Sequence, residues 1–163
     1  MATTLDQNRI WIIWLSLFIA LLLSIIPLPN WIEGLRPQWV ALFLIYWVIA
    51  LPQRIGIAHG FVCGFLLDIL SGTTMGENAL SLSIIAFISQ QYHARLRVRN
   101  FIQQSYLIAG LLIIQKLVSF LVLGITINQT PSIQFWIASL ISAALWPSIF
   151  QLLRNVRRRM HVR

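Results

Sequence analysis

Residues 10–32, IWIIWLSLFIALLLSIIPLPNWI, run for 23 residues without a charged side chain. About 20 apolar residues suffice to cross the hydrocarbon core of a bilayer, and Pro27 and Pro29 confine the span to residues 10–26. Arg9 ahead of an apolar core mimics a secretory signal. No small-x-small cleavage site follows, however; Pro27-Leu28-Pro29-Asn30-Trp31 comes instead, which marks a retained anchor. The rest of the chain has the same character. Of its 163 residues 58% are hydrophobic and 10% charged, with a mean hydropathy of +0.80. Soluble domains run at about 45–50% apolar and about 25% charged. A soluble globular enzyme is excluded.

Charges and prolines divide the remainder into five more spans, at residues 37–51, 55–70, 79–92, 101–127 and 133–153, followed by a basic tail, 154–163. Pro37 suits a first helical position. Six spans of ~20 residues take up ~120 residues and leave no room for a soluble domain. The expected fold is all-α: one polytopic membrane domain of six transmembrane helices in a compact bundle. The alternative, five spans with the segments around Pro52 fused, is decided by charge. With six spans, Arg9, Arg54, Arg95, Arg97, Arg99, Arg154, Arg157, Arg158, Arg159 and Arg163 share one side, against Arg36 alone on the other. By the positive-inside rule both termini are then cytoplasmic. Trp11 and Trp14 fall near the inner interface and Trp31, Trp39 and Trp136 near the outer one, where indole rings favour headgroup depth. Trp47 and Trp146 sit deeper, as packing residues.

Two charged residues, Asp68 and Lys116, fall inside spans. An ionisable group in hydrocarbon is costly unless paired or hydrated, and so marks a candidate site. Asp68 lies 13 residues past Ile55 and Lys116 15 past Phe101, about 20 Å and about 22 Å up their helices. The matched depth permits an intramembrane pair; the other reading has Asp68 reaching headgroup water. Gly56, Gly60, Gly64, Asp68, Gly72 and Gly76 recur at every fourth residue. Such a row lets helix backbones approach closely, within the chain or against a partner.

His59 and Cys63 share a helix face but lack companions for a metal site. The single cysteine excludes an intrachain disulfide. Serines are plentiful, yet there is no Gly-x-Ser-x-Gly, HExxH or phosphate-binding loop. No enzyme is read here, and nothing calls for a cofactor. Arg154, Arg157, Arg158 and Arg159 follow the last span directly. Juxtamembrane arginines gain about 1 kcal/mol each from an anionic leaflet, so anionic lipid or an acidic cytoplasmic partner accounts for them without nucleic acid.

From Arg36 to Leu80 the chain reads Arg36-Pro37-x-Trp39, Tyr46-Trp47, Leu51-Pro52-x-Arg54-x-Gly56, then Gly60-Phe61-x-x-Gly64-x-x-x-Asp68-x-x-Ser71-Gly72-x-x-x-Gly76-x-x-Ala79-Leu80. With Gln103-Gln104, Leu145-Trp146-Pro147 and the basic tail, this resembles the MreD family of rod shape-determining proteins of Gram-negative bacteria. Ile102 stands where the family pattern has a tryptophan, and Lys116 is not part of that pattern. The resemblance implies a non-catalytic inner-membrane component of the cell-elongation machinery. It would bind MreC and act with MreB filaments, the RodA glycosyltransferase and a class B penicillin-binding protein. It also implies a likeness to the six-helix substrate-binding subunits of energy-coupling-factor transporters. A small-solute-binding transport subunit is the competing class of function.

Reporter fusions test the arginine partition directly. Fusions at the C-terminus and between residues 95 and 99 should report cytoplasm, and those near residues 74 and 130 periplasm. A periplasmic C-terminus would overturn the six-span reading.

Overall fold

A computed structural model describes residues 10–27, 29, 35–98, 100–126 and 133–159. Arg9, Trp31, Arg99, the loop at 128–132 and Arg163 lie outside the described residues. Seven helices and no strand occur among those described: α1 (Ile10–Ile25), α2 (Trp39–Ala50), α3 (Ile57–Ser71), α4 (Glu77–Gln91), α5 (His93–Val98), α6 (Phe101–Thr126) and α7 (Ile133–Arg159). A helix lies at each position expected for a span. Only two, within α6 and α7, are long and apolar enough to cross a membrane by length and composition: Ile102–Gly124, with mean hydropathy 2.2, and Phe135–Arg159, with 1.5. α1, α2 and α3 are apolar but shorter.

Several ends differ from the sequence-based expectation, each for a local reason. α2 starts at Trp39 rather than Pro37, because the Gln38 N–H donates to Ser142 Oγ on α7 at 2.8 Å and docks the segment sideways. The connector carrying Arg95 and Arg97 is the short helix α5, held by the buried Leu96. The start of the basic segment is helical: α7 continues to Arg159, placing arginines in its last turn, where the helix dipole favours cations. Pro147 lies inside α7, a position membrane helices tolerate when neighbours satisfy the freed carbonyl.

α2 is the centre of the molecule. Its residues from Val40 to Ile49 are all buried, as expected for a helix apolar on every face, and it packs against α1, α3, α4, α5 and α7. Trp47 and Trp146 are fully buried in this core, and the Trp47 indole donates to Ser16 Oγ on α1 at 2.7 Å.

α3 is sided in the opposite sense to a helix of a water-soluble protein. Its buried residues are Gly60, Cys63, Gly64 and Asp68, while Phe61, Val62, Phe65, Leu66, Ile69 and Leu70 are 39–50% exposed. Small residues inward and large apolar ones outward is the pattern of a helix packed in lipid, where close backbone approach drives association. The inward face meets α4. A Cβ on Gly60 would lie 2.7 Å from the Leu82 carbonyl oxygen, and one on Gly64 would strike the Asn78 carbonyl and the Ala79 Cα. The row therefore acts within the chain at these positions. Gly56 meets only the Gln90 side chain.

Gly72 and Gly76 correct the simple packing reading of the row. A Cβ on either would meet nothing within 4 Å, but their φ angles are +64° and +99°. They are required by backbone conformation, since only glycine adopts this region at low cost.

Gly64→Ala should therefore lower stability by about 1–3 kcal/mol, the usual cost of overpacking. Gly110→Ala, inside α6 where the space is open, should not lower it. Thermal unfolding in detergent reads both, and equal effects would contradict the close α3–α4 contact.

Candidate functional site

Asp68 lies in the last turn of α3, one turn before the left-handed Gly72, and its carboxylate turns towards the start of α4. Oδ1 accepts hydrogen bonds from the Thr73 hydroxyl, the Asn78 N–H and the Asn78 Nδ2, each at 3.0 Å. Oδ2 accepts from the Gly76 N–H at 3.0 Å and the Ala79 N–H at 3.2 Å. Asp68 thus caps a helix other than its own. The first N–H groups of a helix lack internal partners and carry partial positive charge, and this carboxylate takes up those of Asn78 and Ala79. With the residue 1% exposed, the acceptors are saturated by protein donors rather than by headgroup water. This is also why α4 begins at Glu77, two residues earlier than the sequence suggests.

The expected pair of Asp68 with Lys116 does not form. Asp68 bonds to the α3–α4 loop and the start of α4, whereas the Lys116 ammonium lies 3.8 Å from the centroid of the Phe135 ring, a cation–π arrangement. The carboxylate whose field Lys116 feels is Glu77, which also shares a hydrogen bond with the Ser119 side chain. Similar depth on two helices was the wrong criterion: the loop supplies its own donors, and Glu77 at the head of α4 is the acid presented to α6.

Glu77 and Lys116 line a cavity of about 450 Å³ at this end of the bundle, together with Arg36, Gln38, Ser71 and Gln115. Arg36 closes α1 beside it, donating through Nη2 to the Ile26 carbonyl at 3.1 Å and through Nη1 to that of Ser24. Three buried polar atoms around the cavity, Arg36 Nε, Gln38 Oε1 and Gln115 Oε1, have no hydrogen-bond partner. Thr73, Glu77, Asn78, Gln38 and Gln115 escaped the sequence reading. The spacing Asp68-x4-Thr73-x4-Asn78, bracketing two glycines, was the one available signal for the clamp.

At the opposite end a second cavity of about 250 Å³ is lined by Tyr46, Arg97, Arg154 and Arg157. Arg154 and Arg157, expected to meet lipid or a partner, are thus joined by Arg97 of α5; Arg158 and Arg159 do not line it. His59 lies tilted against the Trp14 ring with centroids 5.3 Å apart, Cys63 is buried, and no metal-binding cluster occurs among the described residues.

A helical molecule with large apolar side chains on its outer surface and two helices long and apolar enough to span a bilayer has the character of a membrane protein. The model of the family described as rod shape-determining protein MreD matches residues 6–156. A curated relative from Haemophilus influenzae, "Rod shape-determining protein MreD", is 34% identical over 151 residues, covering 92% of this chain and 93% of the relative. The chain belongs to the MreD family of shape-determining membrane proteins. No solved structure matches it significantly.

Asp68→Asn places an amide where two N–H donors need an acceptor and should cost about 3 kcal/mol, in the range for breaking a buried charged network. Asn78→Ala should cost about 1–2 kcal/mol. In double-mutant cycles scored by thermal unfolding, Asp68→Asn should couple to Asn78→Ala and be additive with Lys116→Met. Coupling to Lys116 instead would overturn the assignment.

Proposed function

We propose that this protein is a non-catalytic scaffold of the cell-elongation complex in the bacterial inner membrane. It binds MreC and helps couple MreB filaments to peptidoglycan synthesis by RodA and a class B penicillin-binding protein. The observation that carries the reading is membership of the shape-determining family over nearly the whole chain. The chain is a single membrane domain crossing the bilayer six times, with both termini in the cytoplasm. The clustering of Arg97, Arg154 and Arg157 at one end of the bundle and Arg36 at the other supports that orientation. α1 to α4 are short for independent spans, and their packing around α2 makes insertion a property of the bundle. The outward Phe61, Phe65 and Ile69 of α3 offer lipid or a partner helix a continuous apolar face.

A second reading, a small-solute-binding subunit akin to those of energy-coupling-factor transporters, is favoured by one observation. The polar cavity between Arg36, Glu77 and Lys116 contains unpartnered donors and acceptors. Saturable binding of a small solute to the purified chain, with no MreC recovered, would favour it.

Cells relying on Gly60→Leu or Gly64→Leu variants should lose rod shape, because a bulky side chain forces α3 from α4, and less MreC should co-purify. Unchanged rods with normal MreC recovery, at normal protein levels, would refute the role of this hairpin.

A further inference from the structure

The cavity at the arginine-rich end gathers positive charge from two helices. It is bounded by Ile49 and Ala50 at the end of α2, Arg97 on α5, and Phe150, Arg154 and Arg157 on α7, with Tyr46 at its base. Arg154 and Arg157 are three apart on α7 and so share a face; Arg97 approaches from a different helix. Three guanidinium groups border about 250 Å³ of space. The acids among the described residues, Asp68 and Glu77, belong to the other end: one caps α4 and the other lines the opposite cavity.

Tyr46 is a second, independent observation. It is 2% exposed, its ring stands edge-on to Trp47 and Phe150 at 5.3 and 5.4 Å, and its phenol lies in the field of Arg154 and Arg157. It lines the cavity together with the three arginines. A phenol hydroxyl can donate a hydrogen bond to an anionic oxygen. Like charges gathered around one cavity repel, and the C-terminal dipole of α7 offsets this only for the arginines of its own last turns. The chemistry that complements such a cluster is an anion with several acceptor oxygens. Planar guanidinium forks fit phosphate in particular.

We propose that Tyr46, Arg97, Arg154 and Arg157 form a phosphate-binding site, filled by the headgroup phosphate of an anionic membrane lipid. Basic pockets between membrane helices on the cytoplasmic side suit such headgroups. In the orientation proposed above, the cavity lies at the cytoplasmic end of the bundle. A lipid phosphate is thereby delivered at high local concentration, with its acyl chains along the apolar exterior. The site would tie α2, α5 and α7 together through one ligand. The leaflet rests on the orientation proposed above, but the binding of phosphate does not, so failure of one is distinguishable from failure of the other.

The test is thermal unfolding of delipidated full-length protein in neutral detergent, titrated with phosphatidylglycerol, phosphatidylcholine or inorganic phosphate. Phosphatidylglycerol should raise Tm saturably, phosphatidylcholine should not, and inorganic phosphate should act only at far higher concentration. Arg97→Gln and Arg154→Gln should each weaken the phosphatidylglycerol response about fivefold, the effect of one interfacial arginine. Tyr46→Phe should weaken it without changing net charge. Arg158→Gln removes the same charge outside the cavity and should change the response less than twofold. Equal losses for Arg97→Gln and Arg158→Gln would mean diffuse attraction and overturn the site. Saturation by inorganic phosphate at lower concentration than lipid would overturn the lipid assignment. No response to any phosphate, with an acidic peptide binding instead, would make the cavity a protein contact.

Discussion

The carboxylate of Asp68 holds the first half of the structure in place. A buried charge is tolerated only when its acceptors are filled, and here five donors from Thr73, Gly76, Asn78 and Ala79 converge on it. The two left-handed glycines, Gly72 and Gly76, bend the loop so that those donors point back at α3. The clamp sets where α4 begins and how close it lies. The glycine face of α3 then makes that closeness possible, with Gly60 and Gly64 against the backbone of α4. It also sets Glu77 towards Ser119 and Lys116 of α6, so one carboxylate positions the next.

α2 poses the complementary problem. Its 12 residues cover only about 18 Å, less than the ~30 Å of a bilayer core, and it is buried along its length. Of the helices packed on it, α1, α3, α4 and α7 are longer than it is, and a cavity lies at each of its ends: one lined by Gln38, Trp39 and Val40, the other by Ile49 and Ala50. The two polar sites thus follow from the shortness of the central helix. They differ in charge because the chain spends its arginines unequally, with Arg36 at one end and Arg97, Arg154 and Arg157 at the other.

For a membrane protein of a shape-determining family this division is physically sensible. The apolar outer surface of α3 needs no further satisfaction in lipid, while the cavities contain donors and acceptors that water, lipid or partners must fill. A phosphate at the basic end would fasten α5 and α7 to α2 without any change in the α3–α4 hairpin. The two ends could therefore be occupied independently.

How much was legible in the sequence depends on the range of the interaction. Charge-free runs such as residues 10–32 determine membrane character and helix locations, because hydrocarbon permits few alternatives to a helix. The four-residue recurrence of Gly60 and Gly64 announces a close approach, and the deep indoles of Trp47 and Trp146 announce packing, because both are properties of a single helix face. The partners were a matter of tertiary structure. Asp68 and Lys116 have compatible depths in the sequence, yet the acceptor capacity of Asp68 is consumed by a loop whose geometry depends on two positive φ angles. Gly72 and Gly76 continue the same spacing as Gly60 and Gly64 but serve conformation rather than contact. Nothing in the order of residues places Arg97 beside Arg154 and Arg157. That juxtaposition arises where α5 and α7 both pack on α2, and a sequence does not reveal which faces of separate helices meet.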